Sequence, residues 1–334
     1  MSQQERVRKE YKYSMKPLFE QRIRLLLPEE KDFATFEKIV HTQPKNFIRC
    51  NTLKISPPIL FERLAKRWKV KQPFPDYPEI ILIDQDLDPG ELGNALEHIL
   101  GYYYVQEVSS MMPSLALNPR PNEKILDLCA APGSKTSQIA AKMENTGILI
   151  ANDFKMDRIR ILAATLERSG VSNTVITRND AITVCSRLAK RNFKFDKILL
   201  DAPCSGEGTL RSSPKTFLMW NPKMVDNLSR MQKKLIAFAL KVLKKGGTIV
   251  YSTCTHAPEE NEGVIDFALK NFPVRAESLS LPLNCRSGIT SWQSEEYNPD
   301  VKRTCRIYPQ DNDSEGFFVS KMTLLEDIKE DIKA

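Results

Sequence analysis

The chain has 334 residues, 41% of them hydrophobic and 27% charged, with a formal net charge of +7. That length holds one large domain or a common-sized domain with a smaller companion, and the balance is that of a globular protein. The basic excess permits an anionic partner such as nucleic acid without requiring one. Seven cysteines show no C-x-x-C spacing and the three histidines (His41, His98, His256) are scattered, which argues against a zinc site. No signal peptide or transmembrane run is visible, so the chain reads as cytoplasmic, with reduced thiols free for chemistry.

In chain order, basic amphipathic helices are expected over Glu5–Leu27 and Lys31–His41. Strand-like runs follow at Phe47–Leu53 and Ile80–Ile83. The polar double-proline stretch Leu117–Asn122 suits a linker. It divides an N-terminal α+β unit, residues 1–117, from a larger unit, residues 118–334. In the second unit short apolar runs recur: Ile125–Leu128, Ile148–Ala151, Val175–Thr177, Ile198–Leu200 and Thr248–Tyr251. Helical segments such as Met156–Ser169 and Met224–Leu243 lie between them, the latter closed by Gly246-Gly247. Short buried strands alternating with helices predict an α/β fold with a mainly parallel, doubly wound, Rossmann-like sheet, whose ligands bind at the carboxyl ends of the strands.

The first strand runs into Cys129-Ala130-Ala131-Pro132-Gly133-Ser134-Lys135-Thr136. Small residues and a glycine between strand and helix let the backbone approach a ligand. The motif is neither G-x-G-x-x-G nor a P-loop, so neither a dinucleotide nor a triphosphate is favoured. The second and third strands end at Asn152-Asp153 and Asn179-Asp180. A carboxylate about 20 residues after a glycine loop can accept from ribose hydroxyls, and a second can meet an adenine amino group. Either can instead cap a helix. Three strands ending this way favour an adenosyl cofactor.

The fourth strand opens into Asp201-Ala202-Pro203-Cys204-Ser205-Gly206 and the fifth into Ser252-Thr253-Cys254-Thr255, so two cysteines reach one edge from different strands. They lie beside an Asp and an expected helix N-terminus at Pro258-Glu259-Glu260, a setting that favours thiol reactivity. Cys50, Cys129, Cys185, Cys285 and Cys305 are read as inert small hydrophobes in their packing.

CAAPGSKT, NDFKMDR, DAPCSGEGTLR and YSTCTHAPEENE together resemble the RNA cytosine-5 methyltransferases of the RsmB/NSUN type. RCNTLK (Arg49–Lys54), GYYYVQEVSSMMP (Gly101–Pro113) and SEGFFVSKM extend the resemblance over nearly the whole chain. It implies that Cys129, Ala130, Ala131, Pro132, Gly133, Ser134, Lys135, Asp153, Arg158, Asp180 and Asp201 surround S-adenosylmethionine or its transferred methyl group. It implies that Cys254 attacks carbon 6 of cytosine and that Cys204 helps remove the carbon 5 proton and release the product. Asp201 and Lys135 are implied in polarising the base. Ser134 stands where the family often has a glycine, and Tyr308-Pro309-Gln310 replaces a frequent Pro-His.

The resemblance further implies an RNA-recognition-like N-terminal unit and an RNA substrate, with tRNA favoured and ribosomal RNA the alternative. No membrane or metal partner is expected, and the enzyme is expected to be monomeric. Arg187, Lys190, Arg191, Lys194 and the run Arg211–Lys215 are candidate phosphate contacts, and Trp220 is a candidate base-stacking ring or a core residue. Two rivals stay open. A DNA cytosine-5 methyltransferase would attack with Cys204, and an inactive RNA-binding protein would use neither cysteine.

Overall fold

A computed structural model of the protein describes residues 14–328. The N-terminal helix expected over Glu5–Leu27 starts only at Pro17 and runs to Leu26; Ser14 to Lys16 are not helical, and the expected span before Ser14 lies outside the described residues. A second helix follows at Glu30–Val40. Their apolar faces turn onto the second unit: Phe19, Ile23, Phe33, Phe36 and Val40 share one core with Phe217, Trp220, Val225, Ala257 and Tyr308. Ion pairs fix the docking. Arg22 grips Glu259 through two hydrogen bonds (3.0 and 2.7 Å), and Arg286 joins Asp32 to Asp311.

Four antiparallel strands form a small sheet in the order Val70–Lys71, Ile80–Ile83, Asn46–Cys50, Tyr103–Val105. The run Ile80-Ile81-Leu82-Ile83 has no polar alternation because both faces of this sheet are covered. Ile81 and Ile83 pack with Leu60, Leu64 and Trp68 around the helix Pro57–Ala65. Ile80 and Leu82 face the other way, into a core with Met111, Met112, Ile125 and Ile139. The helix Val108–Leu117 that links the two units belongs to that same core. Glu107 caps it, accepting from the Ser109 and Ser110 amides (2.7 and 3.2 Å), and Asn118 ends it in the left-handed conformation.

The large sheet carries five parallel strands in the order Leu243–Thr253, Phe195–Asp201, Lys124–Asp127, Ile148–Asp153, Thr174–Arg178. Phe317–Leu324 adds to it antiparallel beside Leu243–Thr253. The chain starts at the central strand Lys124–Asp127, winds outward twice, and then returns to that strand's other side with Phe195–Asp201. The strand order therefore reverses between Lys124–Asp127 and Phe195–Asp201, and ligands of such sheets bind at the carboxyl edge of that reversal.

Three expectations are corrected. The long helix is Pro222–Lys241, with Asn221 capping it through the Met224 amide (2.9 Å). Gly246-Gly247 therefore lies beyond its end, within the strand Leu243–Thr253, instead of closing it. Pro258-Glu259-Glu260 is a turn, and the helix starts later, at Glu262, with Asn261 at its cap position bonded to Thr253 and Thr255 on either side of Cys254. Cys285 and Cys305, expected as free thiols, form a disulfide. Antiparallel pairing of Arg286–Ser287 with Cys305–Ile307 folds the intervening chain back and brings their Cα atoms to 5.1 Å, a proximity that a separation of 20 residues does not reveal. Among the described residues no helix is long and apolar enough to cross a membrane.

Two loops pass closely beneath the cysteines. The Gly316 amide donates to the Gly208 carbonyl (2.8 Å), and the Gly208 amide donates to that of Cys254 (2.9 Å). A Cβ on Gly316 would sit 2.3 Å from the buried His256 Nε2. Gly316→Ala is therefore expected to destabilise the protein by about 1–3 kcal/mol, the usual cost of overpacking. Thermal unfolding of the variant beside the unchanged protein measures it; an equal Tm would show that the two loops have room to part.

Candidate active site

The loop after Lys124–Asp127 turns through a cis Ala131–Pro132 bond into Gly133, which has φ 102 and precedes the helix Ser134–Lys142. Only glycine fits there, because the conformation is left-handed and a Cβ would come within 3.0 Å of the Thr165 side chain. With no side chain at the cap position, the first amides of that helix face the loop without a side-chain partner. Asp153, at the next strand end, accepts from the Ala131 amide (3.2 Å) and pairs with Arg158 (3.4 Å), while Arg158 donates to the Ala131 carbonyl. Asp153 thus braces the loop from below. Asp180 is exposed and caps the helix Ala181–Lys190 through the Thr183 amide (3.1 Å), the helix-cap alternative left open by the sequence.

Beneath the loop lies Asp127, fully buried. Its Oδ2 accepts from Thr136 (2.7 Å) and its Oδ1 has no partner. Burial pushes its carboxyl up to about 7. An unfilled acceptor, a glycine cradle and free helix amides fit an adenosylmethionine ligand, which carries an amino group, a carboxylate and ribose hydroxyls. Asp127 carries no local signal, since a carboxylate inside an apolar strand looks like any strand-end residue and only its unpaired oxygen marks it.

Lys135 projects from the first turn of the same helix to Asp201, at 2.7 Å, and to the Ser110 hydroxyl, at 3.0 Å. Ser252 donates to the other Asp201 oxygen (2.7 Å). Lys135 also lies 5.1 Å from the Phe317 ring centroid. Ser110 arrives on the linking helix and Ser252 on the fifth strand, and neither had a local signal to mark it. Arg49 of the RCNTLK segment is buried and donates to the Ser134 carbonyl (2.6 Å) and Ser137 hydroxyl (2.7 Å), so the small sheet holds the helix that carries Lys135.

The two cysteines meet. Asp201 and Ser252 are partners in the parallel register, so the chain ends beyond them emerge side by side. The Cys204 and Cys254 sulfurs are 3.3 Å apart, both partly buried. The hydrogen bond shared with Cys254, with burial next, holds the Cys204 thiol well above its ordinary range. Either thiol can donate in this contact, which joins the two side chains directly. Burial likewise pushes Cys129 well above its ordinary range, which fits its reading as an inert residue of the loop.

Other candidates lie elsewhere. Trp220 is 2% exposed, donates to Glu207 (2.7 Å) and packs edge-on against Phe19, so it is a core residue and offers no face to a base. Arg211 is 1% exposed and is consumed by Ser314, Thr42, Gln43 and Asp313, which removes it from the candidate phosphate contacts. Lys190 and Lys194 line a depression with Lys244 and Lys245, beside the amino end of Phe195–Asp201, opposite the cysteines. Tyr308, at the departure from Pro-His, stacks on His256 (centroids 4.9 Å, planes 4° apart). Among the described residues no group of three or more potential ligands is placed to hold a metal ion.

A family model described as 16S rRNA methyltransferase RsmB/F matches residues 114–323. The tRNA (cytosine(49)-C(5))-methyltransferase of Pyrococcus abyssi is 42% identical over 276 residues, covering 82% of this chain and 86% of that protein. The ribosomal RNA small subunit methyltransferase F of Vibrio cholerae is 39% identical over 303 residues, 90% of this chain but 62% of that protein's length. A methyltransferase homologue from Pyrococcus horikoshii superposes with a TM-score of 0.82 at 33% identity, covering 94% of this chain and 97% of the other. The crystal structure of NSun6 from Pyrococcus horikoshii with SFG gives 0.81 at 25% identity, covering 95% and 100%. With the Rossmann-like sheet, the cofactor cradle and the paired cysteines in place, these matches establish that the chain belongs to the RsmB/F family of S-adenosylmethionine-dependent RNA (cytosine-5) methyltransferases.

Proposed function

We propose that the enzyme methylates carbon 5 of a cytosine in tRNA through a covalent bond from Cys254 to the base, resolved by Cys204. The observation that carries this reading is the 3.3 Å contact of the two sulfurs at the sheet's ligand-binding edge. Carbon 5 of cytosine is a weak nucleophile. Addition of the Cys254 thiolate to carbon 6 makes it enamine-like and reactive. Lys135, aimed by Asp201 and Ser110, offers a donor for the charge that builds on the base during addition. S-adenosylmethionine, when bound, supplies an electrophilic methyl group. Its holders are the loop from Cys129 to Ser134 with Lys135, Asp153 and Asp201, joined by Asp180 through the oxygen that its helix cap does not use, and Arg158 fixes the loop from outside.

Cys204, in contact with Cys254, is placed to remove the carbon 5 proton as a thiolate, after its own proton has left to solvent.

The tRNA assignment rests on the Pyrococcus abyssi relative, matched over most of its length. The ribosomal relatives favour a second reading, ribosomal RNA as substrate. Residues 1–117, whose Arg49 holds the cofactor-side helix, supply much of the RNA grip, and residues 118–334 carry the chemistry. The enzyme works in the cytoplasm as a monomer without a metal.

Cys204→Ala is expected to add to the base and transfer methyl but fail to detach. A covalent enzyme–RNA band should persist on a denaturing gel with RNA and S-adenosylmethionine. Cys254→Ala should give neither band nor methylated product, and the double variant should match it. A stable adduct from Cys254→Ala with none from Cys204→Ala would reverse the roles. Asp153→Ala should weaken S-adenosylhomocysteine binding by about 1–3 kcal/mol through its unpaired neighbours. Calorimetry on the folded variant reads it, and unchanged affinity would remove Asp153 from the cofactor site. Incubation with unmodified tRNA and with small-subunit ribosomal RNA, followed by bisulfite sequencing, decides the substrate. Methylation confined to ribosomal RNA would refute the tRNA reading.

A further inference from the structure

Cys204 sits on a loop, and loops do not hold a sulfur to a fraction of an ångström unaided. The contacts that hold it come from below the site. Gln232, on the helix Pro222–Lys241, is fully buried, and its Nε2 donates to the Pro203 carbonyl and to Glu260 Oε2, both at 2.8 Å. The same Glu260 oxygen accepts from the Ser205 amide (3.1 Å). Together the two side chains grasp the peptide groups on either side of Cys204. Glu260 is itself tied to the fifth strand, since its backbone carbonyl accepts from the Tyr251 hydroxyl (2.6 Å). The Ser205 and Thr255 hydroxyls, each one residue past a cysteine, share a hydrogen bond at 2.7 Å.

This arrangement is expensive if its purpose is only to anchor a loop. Glu260 Oε1 and Gln232 Oε1 are buried without partners, and burial pushes the Glu260 carboxyl up to about 7. Apolar packing would anchor the loop without those unpaired groups. What apolar packing does not supply is direction, which hydrogen bonds to both flanking peptides do.

We propose that Gln232 and Glu260 are positioning residues for the release step, fixing Cys204 in register with Cys254 so that it can take the carbon 5 proton. The inference rests on the reading of Cys204 as the releasing group. In that step Cys204 acts as a thiolate, its own proton having left to solvent, and the proton passes from carbon 5 to its sulfur. The C–H electron pair forms the carbon 5–carbon 6 double bond, and the C–S pair returns to Cys254 as thiolate. Addition and methyl transfer use Cys254, Lys135 and the cofactor loop, none of which Gln232 touches among the described contacts. Loss of the clasp therefore slows release selectively.

The test uses the full chain with an unmodified tRNA transcript that the unchanged enzyme methylates, and with S-adenosylmethionine. Gln232→Met keeps the length of the side chain and removes both donated hydrogen bonds. Its single-turnover methyl transfer should stay within about twofold of the unchanged enzyme, while steady-state turnover falls about tenfold or more. Covalent complex should accumulate on a denaturing gel towards the level seen with Cys204→Ala. Glu260→Gln, which keeps an oxygen for the Ser205 amide, should lie nearer the unchanged enzyme. Thr255→Val cuts the tie between the two loops, should trap complex in the same way, and serves should Gln232→Met not fold. Equal slowing of transfer and turnover with no trapped complex would overturn the clasp. If Cys204→Ala itself traps nothing, the reading of Cys204 fails and takes the clasp with it.

Discussion

Parallel pairing of Phe195–Asp201 with Leu243–Thr253 sets Asp201 opposite Ser252. Everything chemical in the molecule follows from that register. A parallel pair sends both strands out at the same edge, so whatever follows Asp201 and Ser252 must emerge together. Here the followers are Cys204 and Cys254, and the next parallel neighbour delivers the cofactor loop beside them. A slip of one residue would turn the side chains of one strand to its other face. Ser252 would no longer meet Asp201, and the sulfurs would part. The register is guarded on its far side as well, because Phe317–Leu324 pairs along Leu243–Thr253 from Thr248 to Thr253.

Much of this was legible in the residues. The five apolar runs of the parallel sheet are strands, the residues after them do line one edge, and the glycine after Pro132 takes the backbone conformation that its position required. Local pattern carries such information because strand ends and turns are set by nearby chemistry. The resemblance carried the pairing of the two cysteines, and the contact of their sulfurs agrees with it. Helix boundaries were less legible: Pro258-Glu259-Glu260 has the composition of a helix start but is held as a turn by Tyr251 and Ser205, which bond to Glu260 from other elements.

What the sequence could not display were partnerships across long separations. Trp220 in isolation offers a base an aromatic face; its burial depends on Phe19, some two hundred residues earlier. Arg211 looks like a phosphate contact until Thr42 and Asp313 are found around it. The disulfide of Cys285 with Cys305 depends on a short antiparallel pairing, and the open oxygen of Asp127 on what fails to approach it. Ser110, Gln232 and Glu260 belong to the same class. Their types are ordinary, and only their tertiary neighbours bring them to the two cysteine loops and to Lys135.

The small sheet is covered on both faces, one of them by the helix Val108–Leu117 and the core of the large sheet. This has a practical side for anyone who would recombine such enzymes. The two units share a wall. Cutting the chain at the double proline would strip that wall from the catalytic half and leave Met111, Met112 and Leu117 on the wrong fragment. A transplant of RNA specificity from one relative to another would have to carry the linking helix together with its sockets at Ile125, Ile139 and Met143. The unit of inheritance in this fold is then larger than the unit of function, and grafts cut at the obvious seam should inherit neither grip nor solubility.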